Sequence, residues 1–124
     1  MILTIAAVVG TVPAYGHHAF GTYYLEDQTV SLEGELIGLD YLNPHALVHI
    51  AAADTGGLVH TVTAEWSSPG RLQRQGIYKD TLKPRDRVIV TGSPSRIPSE
   101  YKMHLKRIER PADGWKWVGQ GQRF

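Results

Sequence analysis

Short apolar segments at regular spacing, interrupted once by a helix signal, restrict this chain to a small β-domain. Residues 28–39 (QTVSLEGELIGL) alternate apolar and polar side chains with a period of two, which is the pattern of a half-buried strand. Four further strand-like segments, separated by clusters of Gly, Pro and Asp, cover residues 45–53, 58–66, 87–92 and 102–109. The chain is therefore expected to form five strands with short connections.

One helix is predicted between the third and fourth strands. Ser68 is a favoured N-cap residue, Pro69 suits the first helical position, and Gly76 suits the helix end, so the helix should cover Pro69–Gln75. Three strands, a helix and two strands is the element order of an OB-fold. We therefore predict an all-β fold, a small five-stranded OB-fold-like barrel with one short helix between strands three and four. A β-sandwich is the alternative, although it does not require a helix at this place.

The N-terminal segment has the properties of an export signal. Residues 1–12 (MILTIAAVVGTV) include nine apolar residues, and the small residues Ala14 and Gly16 follow at the spacing that signal peptidase accepts. The apolar run is too short for a transmembrane helix, which needs ~20 residues. No Lys or Arg precedes it, so the signal peptide is either incomplete at its start or replaced by a buried N-terminal strand or helix. The predicted divisions are a signal peptide (1–16), an OB-like domain (17–110) and a C-terminal tail (111–124).

Charge is divided along the chain. Residues 1–70 hold seven acidic residues, no Lys or Arg, and five of the six His residues, which gives a net charge of −7. Residues 71–124 hold all 13 basic residues against five acidic ones, a net charge of +8. The absence of Cys excludes disulfide bonds, thiolate metal sites and Cys nucleophiles. The acidic part contains no cation that would repel a metal ion, so we expect any metal ligands there.

The adjacent histidines His17 and His18 are the most specific candidate site. Cleavage after Gly16 would give His17 a free α-amine beside its imidazole, and these two groups can chelate one metal ion. A further imidazole would complete an all-nitrogen set, which suits Cu(II). We predict that His17 and His18 bind a metal ion and that copper is the favoured metal. The alternative is that two solvated histidines simply follow the cleavage site.

His45 and Glu65 complete the predicted metal ligands. His45 follows Asn43-Pro44 at the start of the second strand, where the proline ring restricts the backbone; a turn-capping or packing role is the alternative. Glu65 lies at the end of the third strand. A simple hairpin register places Trp66 opposite His45 and Glu65 on the other face, whereas a one-residue slip places Glu65 and His45 on the same face. Glu65 could instead cap the helix or pair with Arg71.

The other histidines are weaker candidates. His49 is four residues from His45 on the same strand face, about 13 Å away, so the two cannot share an ion. His60 could be a diagonal neighbour of His49 across the hairpin, which would allow a second site there. His104 stands among Lys and Arg residues, so it is predicted to lie on the surface without a metal ion.

Several motifs together resemble a family of small exported bacterial proteins that is known only as a domain of unknown function. The motifs are GHHAF (16–20), LNPH (42–45), TAEWSSPG (63–70) and LKPRDRV (82–88), within a resemblance that extends from about His17 to Arg107. The resemblance implies export and a small β-domain and supplies no activity. This chain departs from the family pattern at three places: Ala19 replaces the usual Ser, Tyr41 takes the aromatic position before LNPH, and Arg85 replaces a turn glycine.

The sequence favours a binding protein over an enzyme. Ser67-Ser68 lacks the glycines of a nucleophile elbow, and the chain has no phosphate-binding glycine loop and no HExxH motif. Basic and aromatic residues in the C-terminal half are of the types that bind single-stranded nucleic acid, but export and the cation-free first three strands argue against that partner. We therefore predict a periplasmic or secreted metal-binding domain with no integral membrane segment after signal cleavage. The alternative is a non-metal envelope domain that binds a protein or an anionic polymer through its barrel face and basic half.

Overall fold

Strands account for most of the regular secondary structure. The computed structural model describes residues 18–122, and the side chains of residues 20–122. Helix α1 (His18–Tyr23) comes first, and strands β1 (Val30–Asp40), β2 (Leu47–Ala53) and β3 (Val59–Glu65) follow it. The remaining elements are α2 (Pro69–Arg74), β4 (Arg87–Pro94), a 3-10 turn (Pro98–Glu100), β5 (Lys102–Arg110) and β6 (Trp115–Val118). Helix α1 and strand β6 are additions to the predicted order.

The first five strands close into a barrel. The sheet order is β3-β2-β1-β4-β5-β6, and an additional parallel pairing joins β3 to β5. In that pairing Thr63 lies opposite Lys102 and Glu65 lies opposite His104. A five-stranded barrel with a short helix between β3 and β4 has the architecture of an OB-fold, so the predicted all-β fold class is confirmed.

Alternating side chains of the strands fill the barrel. Along β2, Val48, Ile50 and Ala52 are buried and their neighbours are partly or fully exposed, as the period-two pattern requires. The other large side chains with under 2% exposure include Leu36, Val88, Val90, Leu105 and Ile108. Each fully buried Val, Leu or Ile side chain contributes about 1.5–3 kcal/mol of transfer free energy, so this apolar interior is the main source of stability.

Helix α2 forms where the sequence predicted it. The Ser68 hydroxyl accepts a hydrogen bond from the backbone N–H of Arg71, and Pro69 occupies the first turn. Gly76 follows with a φ of +78°, a value that suits glycine just after a helix. Leu72 is the buried residue of this helix, and it packs into the barrel core with Trp66. The helix is therefore held by its caps and by one apolar anchor.

The segment predicted as a tail contributes a strand. Residues 115–118 form β6, which pairs antiparallel with β5 so that Trp117 lies opposite Ile108. The Trp117 ring meets the buried Trp66 ring edge-on, with a centroid distance of 5.4 Å, and its Nε1–H donates to the Gln75 side-chain oxygen over 2.8 Å. These contacts attach the C-terminal segment to the barrel. Within residues 18–122, every helix is too short to cross a membrane.

Arg85 occupies the position where the resembled family carries a turn glycine. Its φ is +77°, which lies in the left-handed region that glycine adopts without steric cost. The backbone N–H of Arg85 donates to the carbonyl of Leu36 over 2.8 Å, so the turn is attached to β1. Arg85 therefore adopts a backbone conformation that glycine adopts more easily, and a hydrogen bond to β1 holds it there.

Gly92 allows the backbones of β4 and β5 to approach each other closely. A Cβ atom at this position would overlap the backbone carbonyl of His104, whereas a Cβ at Gly38 would meet nothing within 4 Å. Gly92→Ala should therefore lower the free energy of unfolding by about 1–3 kcal/mol, since the backbones must separate. Urea denaturation measures the effect. Gly38→Ala is the matched control, and equal stabilities of the two variants would contradict this account.

Candidate functional site

Helix α1 brings an aromatic side chain against two histidines from distant parts of the chain. The Phe20 ring stacks on His104 at a centroid distance of 3.7 Å and an interplanar angle of 3°. It also stacks on His45 at 5.1 Å and 29°. We call the cluster around these rings the histidine site; its members are Phe20, Tyr24, Glu26, His45, Glu65, His104 and Lys106.

A carboxylate fixes the orientation of His45. The Nδ1 atom of His45 lies 2.8 Å from Oε1 of Glu65, and because a carboxylate only accepts hydrogen bonds, Nδ1 carries the proton. The second oxygen, Oε2, accepts the Tyr24 hydroxyl over 2.6 Å. Burial, followed by this hydrogen bond, raises the pKa of Tyr24, so the phenol remains a donor. The Nε2 atom of His45 has no hydrogen-bond partner among the side chains described, those of residues 20–122, and can accept a ligand.

A second carboxylate holds His104 in the same way. The Nδ1 atom of His104 donates to Oε1 of Glu26 over 2.7 Å, and the ammonium group of Lys106 lies 3.1 Å from Oε2. Lys106 also donates to the backbone carbonyl of Glu26 over 3.1 Å, which satisfies an almost fully buried cation. Burial lowers the pKa of His104 despite the nearby Glu26 carboxylate, so its imidazole is neutral at pH 7.

The surface position predicted for His104 is wrong. Its side chain is 19% exposed, because Phe20 of α1 stacks on the ring and Glu26, in the turn after α1, accepts its hydrogen bond. The prediction weighed only the basic neighbours along the strand. Glu26 is 78 residues away in sequence, and no local pattern reveals that it neutralises Lys106 beside His104.

The register of the β2–β3 hairpin brings His45 and Glu65 together. Leu47 lies opposite Glu65, and the pairing continues past the strand ends because the N–H of Trp66 donates to the carbonyl of Ala46 over 2.8 Å. This register is one residue away from the simple register considered from the sequence, so Glu65 shares a face with His45. Glu65 is therefore bound to His45 and Tyr24, and it does not pair with Arg71.

The second site that the sequence allowed at His49 and His60, without predicting it, does not form. His49 lies opposite Thr63, whereas His60 lies opposite Ala52. Since these two pairs are an odd number of positions apart, the imidazoles occupy opposite faces of the hairpin. His60 instead hydrogen-bonds to Asp54 over 2.8 Å, and this contact lowers the pKa of the Asp54 carboxyl.

Of the four predicted metal ligands, the structure describes the side chains of two, His45 and Glu65. His45 and Glu65 are in direct contact, as described above. His17 lies outside the described residues, and His18 begins α1 with its side chain outside the described part. Among the side chains of residues 20–122, no three His, Asp or Glu form a set that could hold a metal ion. A metal site around His45 would therefore need further donors, such as those predicted at His17 and His18.

An open groove of about 870 Å³ adjoins the histidine site. Helix α2 provides Arg71 and Arg74, while Trp117 and Gln122 line it from the C-terminal segment. His45 and His104 line the same groove, together with Phe20 and Glu26. The two imidazoles are therefore accessible to a ligand that enters from this side.

Sequence reasoning identified His45 and Glu65 but missed most of the remaining site. Phe20 belongs to the GHHAF motif, in which only the two histidines were predicted to bind a ligand. Tyr24 and Glu26 lie in a short segment without strand or helix periodicity. Once the structure shows that Lys106 is buried, a carboxylate partner is required, and the acidic segment after Phe20 supplies it. Pairing the two, however, required the barrel topology.

Titration of His104 should make the fold less stable as the pH falls. Its pKa is lowered in the folded protein from the ordinary 6.5, so in mildly acidic solution the unfolded chain binds a proton that the folded chain does not. The neutral His104 side chain contributes its full stabilisation above pH 6.5. This contribution is lost as the pH falls toward the lower pKa of the folded state. The free energy of unfolding, measured by urea denaturation between about pH 7.5 and 5.5, should fall less in His104→Gln than in the unmodified protein. An identical pH dependence would contradict the assignment.

The family of the chain is defined by a match over most of its length. The model of a family of unknown function (DUF6152) matches residues 6–102, a span that includes His17, His18, His45 and Glu65. A comparison with curated proteins gives no match. The resemblance seen in the motifs is thereby confirmed, and the chain belongs to this family of unknown function.

Proposed function

We propose that the protein is exported and that its mature chain binds one copper ion through His17, with His45 as a further imidazole ligand. The observation that carries this proposal is the fixed His45 ring, whose Nδ1 donates to a Glu65 carboxylate that is itself held by Tyr24. The role is binding, storage or delivery of the metal. Export is inferred from the apolar segment at residues 1–12.

The hydrogen bonding of His45 is the arrangement that metal-binding histidines usually have. Such residues commonly donate one ring N–H to a carboxylate, which fixes the tautomer and makes the other nitrogen a better ligand. His45 meets both conditions, since Glu65 takes the proton at Nδ1 and leaves Nε2 for the ion. The side chain is 32% exposed, so an ion can reach it from solvent.

The N-terminal donors directly precede the part of α1 that contacts His45. Phe20 contacts the His45 ring, and His18, two residues earlier in α1, is only about 3 Å further along the helix axis. His17 directly precedes His18, so the predicted amine and imidazole of a mature N-terminus lie one residue beyond the start of this helix. Nitrogen donors of this kind favour Cu(II), which is at the top of the affinity order for divalent metals.

Glu65 acts as a positioning residue in this proposal. One of its oxygens accepts His45 and the other accepts Tyr24, so both are already engaged. This assignment replaces the direct ligand role that the sequence suggested for Glu65. His18 remains a candidate for an additional imidazole. Because Glu26 and Lys106 neutralise each other, the Glu65 charge next to His45 is left to favour a cation.

Copper titration of the mature protein tests the proposal. Intact mass of the exported protein should correspond to a chain that starts at His17, and calorimetry should show one Cu(II) per chain. Glu65→Gln should weaken copper binding roughly 10–100-fold through misorientation of His45, and His45→Ala should weaken it at least as much, because a ligand is lost. His60→Ala is the matched control, since His60 is bound to Asp54 on another face.

A chain with one extra residue before His17 isolates the contribution of the amine. This extension keeps every side chain and removes the predicted chelate, so copper affinity should fall sharply while the fold is unchanged. A mature start other than His17, or copper binding that is unaffected by both the extension and His45→Ala, would refute the proposal.

A further inference from the structure

The groove beside the histidine site has a chemical character that the copper proposal does not explain. One side consists of α2, with Arg71 and Arg74, and the other consists of the segment that contains Trp117, Gln120 and Gln122. Its volume of about 870 Å³ falls in the range of pockets that hold small organic molecules. Two arginine side chains, Arg71 and Arg74, contribute positive charge to its lining.

The two arginines carry uncompensated charge. Arg71 and Arg74 are three residues apart on α2, so they lie on the same helix face, and both are exposed. Neither forms an ion pair within the part of the chain that the structure describes. The acidic residue that lines the groove, Glu26, is already bound through both carboxylate oxygens to His104 and Lys106. The groove therefore presents cations without a protein carboxylate to neutralise them.

Gln75 adds a donor and gives the groove a fixed shape. Its side-chain oxygen accepts the Trp117 Nε1–H over 2.8 Å, which links α2 to the opposite side. Because the oxygen is engaged, the amide N–H groups of Gln75 are the part left to face a ligand. The Trp117 ring is held in turn by its edge-on contact with the buried Trp66. The Gln75 side chain is therefore held in place by Trp117, which packs on Trp66.

We infer that this groove binds a small organic anion with at least two carboxylate or phosphate groups. Guanidinium groups pair with both kinds of oxyanion through parallel hydrogen bonds, and two arginines one helical turn apart suit a ligand with more than one such group. The inference goes beyond the proposed copper site. It does not depend on copper, because Arg71, Arg74 and Gln75 supply the binding groups.

Metal-free protein with citrate or pyrophosphate as the probe provides the test. Calorimetry should show saturable binding of one anion per chain, weakened by added salt as expected for exposed charges. The double substitution Arg71→Ala with Arg74→Ala should weaken binding about tenfold or more, which is the effect of losing charged hydrogen bonds. Both residues are exposed on α2, so circular dichroism and the thermal midpoint should show an unchanged fold.

The double variant Lys79→Ala with Lys83→Ala is the matched control. It removes the same charge from exposed positions outside the groove, so anion affinity should be unchanged. Tighter binding of citrate would identify a carboxylate ligand, and tighter binding of pyrophosphate would identify a phosphate ligand. Equal losses in the two double variants, no saturable binding of either probe, or binding of only long polyanions would overturn the inference. The arginine variants should keep full copper affinity, so failure of either proposal is distinguishable from failure of the other.

Discussion

The parallel pairing between β3 and β5 is the constraint on which the rest of the structure depends. It closes the sheet and satisfies backbone groups that would otherwise remain on two open strand edges. It also joins the acidic and basic parts of the chain, because β3 comes from the first and β5 from the second. Glu65 and His104 become direct neighbours in this pairing. The histidine site therefore forms at the seam of the barrel.

Buried charge at this seam is balanced by residues from both parts of the chain. Lys106 is almost completely buried, and an unpaired ammonium there would be strongly destabilising. Glu26 compensates it and also accepts a hydrogen bond from His104, so one carboxylate stabilises a cation and orients an imidazole. Residues with opposite charge are therefore separated in sequence and adjacent in the fold. The overall charge of +1 conceals this arrangement.

The histidine site and the groove present complementary chemistry side by side. At His45 a carboxylate accepts the Nδ1 hydrogen bond and leaves Nε2 for a ligand, which suits a metal cation. Along α2, Arg71 and Arg74 are charged and unpaired within residues 18–122, which suits an anion. Phe20 is shared, since its ring contacts both histidines and lines the groove. A cation and an organic anion can thus occupy neighbouring positions in our proposals, each held by its own set of side chains.

The sequence by itself determined the five barrel strands, helix α2 and the fold class, because alternation, capping and turn residues act over a few positions and each is visible locally. Only the tertiary structure decided which side chains meet. A one-residue difference in hairpin register places Glu65 on the face of His45, and closure of the barrel brings Glu26 to His104. Strand β6 has only four residues, too few for periodicity to distinguish it from a tail. It is identified as a strand only by its pairing with β5. These contacts join residues far apart in sequence, and their energies depend on burial that exists only after folding.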